Sequence, residues 1–299
     1  MNIQKLYEQP AKFRNRLISR FIYKINKGIL NIFYPVFARC SYGVDDSSNV
    51  IVSLTSFPGR INSVWITITS LLNQTVKPKA IILWLAEDQF PQKESDLPRK
   101  LLKLKEKGLT IRFCDNLYPH KKYYYSIREY PDSSVITVDD DIFYPENLVE
   151  ELTTLHEKYP KCVCCTWAHE ITIENGRIRP YAQWKKWIQT GEKPSIAIIP
   201  VGCGGVLYPA HSLCEQTFDK EKIRRLAMRT DDLWLKAMEI LGGVEAVRWN
   251  KKLPIFYSIM RAQKSGLFHE NVTENRNDEA MNKIISEYPE ISMILESKQ

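Results

Sequence analysis

The sequence lacks several features that would assign the protein to a well-known class. No run of about 18 or more apolar residues occurs, which argues against a membrane-spanning helix. The glycine-rich stretch Gly202–Gly205 matches neither GxGxxG nor a P-loop, so it predicts no phosphate cradle by itself. Internal repeats, low-complexity tracts and a secretory signal pattern are also absent, and we therefore expect a cytoplasmic protein. With 299 residues and 44% apolar content, the chain can bury a sizeable core.

Cysteine is present in an odd number, seven, which does not favour a framework of disulfides. Together with the missing signal pattern, this indicates a reducing compartment. Three of the cysteines lie in Cys162–Cys165, an apolar, strand-like run with no second CxxC pair in the chain. We predict buried thiols in this run rather than a metal site.

The net charge of +7 is concentrated at the N-terminus. Residues 1–40 contain eight Lys or Arg and one acid, and removing them from the totals of 42 and 35 leaves 34 of each sign. That neutral remainder argues against a nucleic-acid partner. On a helix, apolar and basic side chains would occupy opposite faces, a pattern typical of a helix on an anionic membrane surface. The alternative is packing against the body or against a second subunit of a homo-oligomer. The apolar face is Ile18, Phe21, Ile22, Ile25 and Ile29, and the basic face is Arg16, Arg20, Lys24 and Lys27.

After a polar linker at residues 43–49, strand-like and helix-like segments alternate. This alternation predicts an α/β fold with a mainly parallel, Rossmann-like sheet flanked by helices. A hairpin is predicted at Asn175-Gly176, and Ile196–Pro200 is strand-like. The expected strands are Val50–Leu54, Lys79–Leu85, Leu109–Phe113 and Ser134–Val138, and the expected helices cover roughly Ile61–Asn73, Pro98–Lys107 and His120–Tyr130.

Three consecutive aspartates, Asp139–Asp141, follow the fourth predicted strand, and Pro145 opens a helix shortly afterwards. Ligands bind at the carboxyl ends of strands in open α/β sheets. Adjacent carboxylates repel one another, and a divalent cation such as Mn²⁺ or Mg²⁺ would neutralise them. The alternative is a solvated acidic turn in which Asp141 caps the helix. The same edge of the sheet would gather Thr55, Asp88 and Asp115.

Four motifs, taken in order, resemble GT-A glycosyltransferases, especially bacterial enzymes of capsule and O-antigen synthesis. They are IVSLTSFPGR, VDDDIFYP, GCGGVLYP and RTDDLW. The resemblance implies a GT-A-like fold that transfers a hexose from a nucleotide-diphosphate sugar, with UDP-sugar favoured. The acceptor would be a hydroxyl of a glycan or a lipid-linked molecule in surface polysaccharide synthesis. The expected regions are a basic arm and linker at 1–48, a catalytic domain at 49–270 and a helical tail at 271–299. The basic arm would hold the enzyme peripherally on the inner face of the cell membrane.

The resemblance also implies roles for residues of the donor site. Asp141 would bind the metal with Asp140 assisting, and Asp139 would lie near both the metal and the ribose. The metal would stabilise charge on the departing diphosphate. His269 could supply a third metal ligand, although a lone histidine is often structural. The remaining donor-site candidates are Thr55 and Arg60 beside the nucleotide, Asp88, Asp115 at the base, Lys121 or Lys122 at phosphate, and Gly204 and Gly205 close to the donor sugar or acceptor.

The TDD motif, Thr230-Asp231-Asp232, opens a predicted helix with Thr230 as its N-cap. In inverting GT-A enzymes a carboxylate at such a helix start takes the proton of the acceptor hydroxyl. The resemblance therefore implies Asp232 as the general base, with Asp231 as its substitute. The alternative is that both acids only complement the helix dipole. Three tryptophans could stack on sugar rings or lie buried: Trp184, Trp187 and Trp234.

Other function classes use similar residues. A nucleotidyltransferase would use a similar parallel sheet, but it would carry a glycine-rich basic loop after the first strand, where TSFPGR has one glycine. A phosphohydrolase of the haloacid dehalogenase type would place its acids after the first strand instead of the fourth. A non-enzymatic sugar-binding protein would not need the TDD helix start together with a metal site.

Overall fold

A computed structural model describes residues 6, 16–38, 40–189, 191–249, 256–265 and 276–298. The strands are β1 (Val50–Thr55), β2 (Ala80–Ala86), β3 (Leu109–Cys114), β4 (Ser134–Thr137), β5 (Ile142–Phe143), β6 (Val163–Cys165), β7 (Ala168–Glu170), β8 (Ile173–Glu174), β9 (Arg177–Ile178), β10 (Ile198–Pro200), β11 (Val206–Tyr208), β12 (Ala246–Arg248) and β13 (Tyr257–Ser258). The α-helices are α1 (Arg16–Phe37), α2 (Val64–Leu71), α3 (Arg99–Leu102), α4 (Lys121–Glu129), α5 (Leu148–Lys158), α6 (Lys220–Leu226), α7 (Asp231–Leu241), α8 (Arg276–Glu287) and α9 (Glu290–Ser297).

The central sheet has seven strands in the order β12-β6-β11-β4-β1-β2-β3. Every neighbouring pair is parallel except those of β11, which runs antiparallel to β4 and β6. The predicted α/β fold with a mainly parallel sheet is therefore confirmed, and all four predicted strands are found within one residue of their expected ends. Since the chain leaves β4 beside β1 in mid-sheet, the three aspartates emerge where ligands bind in such sheets.

The predicted helices are present but shorter than expected. The segment before Val64 forms hydrogen-bonded turns, such as Arg60 N–H to the Phe57 carbonyl at 2.9 Å, so α2 begins three residues later than predicted. The helix after Pro98 continues as a 3-10 helix at Lys103–Lys107. The predicted hairpin is confirmed, because Asn175 and Gly176 both have positive φ between β8 and β9, as a tight hairpin turn requires.

The sheet is covered on both faces by apolar residues that alternate along its strands. One face packs Val52, Leu54 and Ile136 against α2 and α5. The other buries Ile51 and Val135 beside side chains of α4. Further along this face, β6 and β11 pack against α7, and helices α8 and α9 join the same cluster. The predicted buried thiols are confirmed, since Cys162, Cys164 and Cys165 are buried in or beside β6.

Helix α1 presents three stripes of side chains around its axis: one buried, one apolar and exposed, and one basic. A body-facing stripe of Asn26, Leu30 and Tyr34 is buried. Asparagine amides anchor this side to β13, where Asn26 Nδ2 lies 3.3 Å from the Tyr257 hydroxyl and Asn31 Nδ2 donates to the Ser258 carbonyl at 3.1 Å. An apolar stripe stays exposed, and Arg20 and Lys24 are also exposed. The exposed apolar side chains include Leu17, Ile18, Phe21, Ile25, Ile32 and Val36. Among the described helices, none is long and apolar enough to cross a membrane.

Candidate active site

The three aspartates at the end of β4 do not form a solvated turn. Asp140 and Asp141 are buried, and only Asp139 is partly exposed. The Asp140 carboxylate accepts hydrogen bonds from Ser56 Oγ and from the Arg60 guanidinium, each at 2.6 Å. The same guanidinium lies 3.2 Å from Asp141 Oδ2. Arg60 thus neutralises part of the charge of two neighbouring carboxylates.

Burial dominates the protonation of these two acids. Loss of solvation raises the pKa of Asp141 to about 7; Arg60 opposes this shift, and the charges of Asp140 and Asp139 add to it. Burial also raises the pKa of Asp140, although Arg60 and Ser56 stabilise its charged form. A site that holds buried carboxylates with raised pKa values favours the arrival of a cation, which would keep them ionised.

Lys122 of α4 joins this group to the start of α7. Its Nζ lies 2.8 Å from Asp139 Oδ1 and 3.0 Å from Asp231 Oδ2, and its side chain is 5% exposed. Burial alone would lower the pKa of Lys122, but the two carboxylates raise it well above its usual range. One buried ammonium therefore holds together acids that stand 92 positions apart in the sequence.

The two acids of the TDD motif have different environments. Burial would raise the pKa of Asp231, but Lys122, together with His120, lowers that pKa below its usual value. Asp232 has no such partner; burial, followed by the charge of Asp231, raises its pKa to about 7. Asp232 accepts a hydrogen bond from the Gly202 N–H at 3.1 Å. Thr230 stands at the predicted N-cap position, although its hydroxyl bonds to the Ala227 carbonyl instead of capping α7.

Loop 201–205 lies between the two acidic groups. The Tyr144 hydroxyl accepts the Asp139 N–H at 2.9 Å and donates to the Cys203 carbonyl at 3.0 Å, which ties the loop to the end of β4. A Cβ on Gly202 would approach Asp232 Oδ1 to 2.7 Å. Only glycine therefore fits at this position without displacing the carboxylate.

Several predicted site residues lie away from this cluster. Thr55 Oγ1 donates to the Trp84 carbonyl at 2.8 Å, and exposed Asp88 accepts from Asn116 at 3.2 Å. Exposed Asp115 pairs with Lys220. Lys121 Nζ lies 3.4 Å from Asn116 Oδ1, so Lys121 points towards the same strand ends as Asp88. Thr55, Asp88, Asp115 and Lys121 remain candidates for nucleotide contacts at the rim.

Gly204 and Gly205 have a structural reason to be glycine. A Cβ on Gly204 would lie 2.8 Å from Trp167 Cβ, and Gly205 has a φ of +85°. Both residues are buried. The expected approach of their backbone to a ligand therefore remains a prediction. The glycine that contacts the carboxylate of Asp232 is Gly202.

Sequence reasoning gave no site role to Ser56, Gly202 or Tyr144. Ser56 was visible in the sequence, because it lies one residue after Thr55 at the end of β1. Gly202 belongs to the glycine-rich stretch, but the sequence did not indicate which glycine faces an acid. No local signal marks Tyr144, since its contacts to Asp139 and Cys203 depend on tertiary packing.

The cluster is chemically suited to a divalent cation. Carboxylate oxygens are the ligands that Mg²⁺ and Mn²⁺ prefer, and acidic side chains outnumber basic ones here. Within the described residues, however, no three His, Cys, Asp or Glu side chains are arranged to hold a metal. Asp139 and Asp141 would therefore need further ligands from phosphate or water. His269, the expected third ligand, lies outside the described residues. The opposed charges are those of Asp139, Asp140, Asp141, Asp231 and Asp232 against Arg60 and Lys122.

Comparison with solved structures identifies the fold. A mannosyltransferase from Pyrobaculum calidifontis, PcManGT in complex with GDP-Man and Mn²⁺, has a TM-score of 0.51 at 10% identity, covering 99% of this chain and 80% of that chain. S. aureus TarS 1–349 in complex with UDP has a TM-score of 0.48 at 12% identity, with 83% and 69% covered. No protein-family model and no curated protein matches the sequence. At this identity the first similarity establishes the fold alone, and that fold is GT-A-like.

We expect Lys122→Met to destabilise the protein by about 3–5 kcal/mol, because it leaves Asp139 and Asp231 without their buried counter-ion. In the wild type the lowered pKa of Asp231 contributes stability above about pH 4, and this is lost as the pH falls. In the variant the buried Asp231 would have a raised pKa, so its destabilisation would grow as the pH rises from 5 to 8. Urea unfolding at both pH values measures this change.

Lys121→Met is the matched control for this measurement. Burial lowers the pKa of Lys121, and its one polar contact described here is Asn116 at 3.4 Å. Removing its charge should therefore change the free energy of unfolding little. Equal losses for the two lysine variants, with no dependence on pH, would contradict the role of Lys122.

Proposed function

We propose that the protein is a metal-dependent glycosyltransferase that moves a hexose from a nucleotide-diphosphate sugar to an acceptor hydroxyl, with inversion at the anomeric carbon. The observation that carries this proposal is the Lys122 bridge, with Asp139 at 2.8 Å and Asp231 at 3.0 Å. On a GT-A-like fold, it joins the metal-binding candidates to the TDD motif, which contains the candidate base. A metal-bound diphosphate and an acceptor hydroxyl need these two groups side by side.

At the donor end, Asp139 and Asp141 would hold Mn²⁺ or Mg²⁺. When bound, this metal supplies Lewis-acid stabilisation of the departing diphosphate. Arg60 keeps Asp140 and Asp141 in place through contacts of 2.6 Å and 3.2 Å. Mn²⁺ accompanies GDP-Man in PcManGT and supports the choice of a divalent metal. We favour a UDP-sugar as the donor, as the resemblance of the sequence motifs implies.

At the acceptor end, Asp232 is the better placed of the two acids to act as a base. It is half-buried, and burial raises its pKa to about 7, near the pH at which it would have to take a proton. Asp231 is committed to Lys122 and its pKa is lowered, which makes it a weaker base. Lys122 and Gly202 would instead fix the two carboxylates in position.

The acceptor would be a glycan or lipid-linked molecule at the inner face of the cell membrane, in surface polysaccharide synthesis. Helix α1 supports this part of the proposal. It docks on the body through Asn26 and Leu30 and leaves its apolar stripe in solvent. Arg20 and Lys24 lie beside that stripe, where they would meet anionic headgroups as the apolar side chains enter the interface.

A donor should stabilise the protein only when a divalent metal is present. We expect one nucleoside diphosphate or its sugar nucleotide, with Mn²⁺, to raise the melting temperature, because ligand at about 100 times its Kd adds roughly 2.7 kcal/mol. Asp141→Asn should abolish the shift. Asp132→Asn, which changes an exposed acid at the opposite end of β4, should retain it. A shift in Asp141→Asn equal to the wild type would exclude the proposed metal ligand.

Asp232→Asn should lower kcat by about 10²- to 10⁴-fold, the usual contribution of a positioned base. The donor-induced rise in melting temperature should persist. Because the base must be ionised, wild-type kcat/KM should rise with pH through about 7, as the pKa of Asp232 requires, and the variant should lose this rise. Release of nucleoside diphosphate from the donor measures both. Full activity in Asp232→Asn with loss in Asp231→Asn would transfer the base role to Asp231.

The double variant Phe21→Ser with Ile32→Ser should no longer sediment with vesicles that contain phosphatidylglycerol, because it removes two exposed apolar anchors of α1. Met293→Ser, which removes an exposed apolar side chain of α9, serves as the control. Vesicles of phosphatidylcholine alone should bind the wild type weakly. Vesicle binding that is unchanged in the α1 variant, together with a shift from dimer to monomer in sedimentation velocity, would assign this face to a second copy.

A further inference from the structure

Trp187 differs from the other two tryptophans that the sequence suggested for sugar stacking. Trp184 and Trp234 are buried, whereas Trp187 is 44% exposed. Its φ is +53°, in the left-handed region that bulky residues rarely occupy. Such a conformation persists only where the surrounding contacts enforce it, and it is common at functional sites. The chain therefore holds a large aromatic side chain in solvent under backbone strain.

The contacts that enforce this conformation come from β7 and the residue before it. The Trp187 N–H donates to His169 Nδ1 at 3.0 Å. The Trp187 ring meets the rings of Trp167 and His169 nearly at right angles, with centroids 5.0 Å and 4.7 Å away. Burial lowers the pKa of His169 to about 4, so this ring stays neutral and able to accept the bond at physiological pH. The exposed indole is fixed before any ligand arrives.

The packing of Trp167 connects this indole to the proposed base. The Trp167 carbonyl accepts the N–H of Val201, the first residue of loop 201–205. The next residue, Gly202, donates to Asp232. Gly204 packs directly on Trp167, since a Cβ there would lie 2.8 Å from Trp167 Cβ. Loop 201–205, which positions the carboxylate of Asp232, thus packs on Trp167, and Trp167 also supports Trp187.

A second path runs from Trp187 to the acids of β4. Trp167 stacks edge-on with Phe256 at 4.8 Å, and Phe256 meets Tyr144 at 5.7 Å. The Tyr144 hydroxyl holds the Asp139 N–H. Packed rings and hydrogen bonds therefore connect the exposed indole to both halves of the proposed site.

We propose that Trp187 is the acceptor platform, on which the apolar C–H face of an acceptor sugar ring stacks while one of its hydroxyls reaches Asp232. This inference rests on the proposed transfer reaction and narrows the acceptor to a molecule that presents a sugar ring next to the reacting hydroxyl. A flat indole suits such a ring, because its face is apolar and its hydroxyl edge remains free for polar partners. The backbone strain at Trp187 is then maintained for binding and not for folding.

The test compares Trp187→Asn and Trp187→Phe with the wild type. Asparagine tolerates the left-handed conformation and removes the indole, whereas phenylalanine keeps a smaller aromatic face. The probes are p-nitrophenyl glycosides of glucose, galactose, mannose and N-acetylglucosamine, supplied with the donor that stabilises the protein. Three quantities are measured: KM for the glycoside, release of nucleoside diphosphate without glycoside, and the melting temperature. Tyr42→Asn, which removes an exposed aromatic side chain elsewhere, is the control.

We expect Trp187→Asn to raise KM for the glycoside about tenfold or more, as the loss of a ring stacked on an aromatic side chain does. Trp187→Phe should have a smaller effect. In Trp187→Asn, the release of nucleoside diphosphate without glycoside should stay unchanged. The melting temperature should not fall, because asparagine relieves the backbone strain. A lower melting temperature with unchanged KM would make Trp187 a structural residue and overturn the inference, as would a wild type that responds to no glycoside while it hydrolyses the donor. If no sugar nucleotide releases its diphosphate, the proposed function itself fails.

Discussion

The Lys122 bridge is the interaction on which the rest of the site depends. Its ammonium contacts Asp139 at the end of β4 and Asp231 at the start of α7, and its own helix α4 covers the sheet beside β1. A buried lysine is costly unless it is paired, and each of its partners is costly without it. Strand, helix and covering layer must therefore come together correctly for any one of the three charges to be tolerated. The Lys122 bridge also determines which acids remain available for the proposed reaction.

Two neighbouring aspartates of α7 consequently differ in protonation. Lys122 satisfies Asp231 and keeps it ionised, and the charge of Asp231 then adds to the burial that raises the pKa of Asp232. Opposed pKa shifts of two neighbouring acids allow a fold to give structural and catalytic roles to identical side chains. Gly202 completes this division, because its N–H reaches Asp232 and its missing side chain leaves room for the carboxylate. In the proposed donor half, Arg60 likewise neutralises Asp140 and Asp141 only in part.

The first four strands, the mainly parallel sheet and the positions of both acidic motifs could be predicted from sequence, because they depend on local patterns. The pairing of Lys122 could not be predicted, since Lys121 and Lys122 are equivalent until α4 is oriented on the sheet. The same holds for the glycines: composition marks the loop, but only packing distinguishes Gly202 from Gly204. Asp115 follows a predicted strand and yet pairs with Lys220, because β3 is the edge of the sheet and its end faces solvent.

The contacts of helix α1 divide its surface into three stripes and not into the two faces that its sequence pattern predicts. The sequence predicts an apolar face that meets a membrane, the body or a second subunit, but the body contacts a third stripe that contains Asn26 and Tyr34. Because polar residues help to anchor α1 to the body, the exposed apolar stripe is available to another partner.

The same contacts also hold helix α1 close to the proposed active site. Tyr23 of α1 stacks on Tyr257 at 5.0 Å, and the N–H of Ile259, just after β13, donates to the Asp141 carbonyl at 2.7 Å. Phe256, just before the strand, contacts the Trp167 ring that supports Trp187. The proposed membrane face, metal-binding acid and acceptor platform thus meet at the short segment 256–259. A lipid-linked sugar held at the surface beside α1 would enter the site from that side.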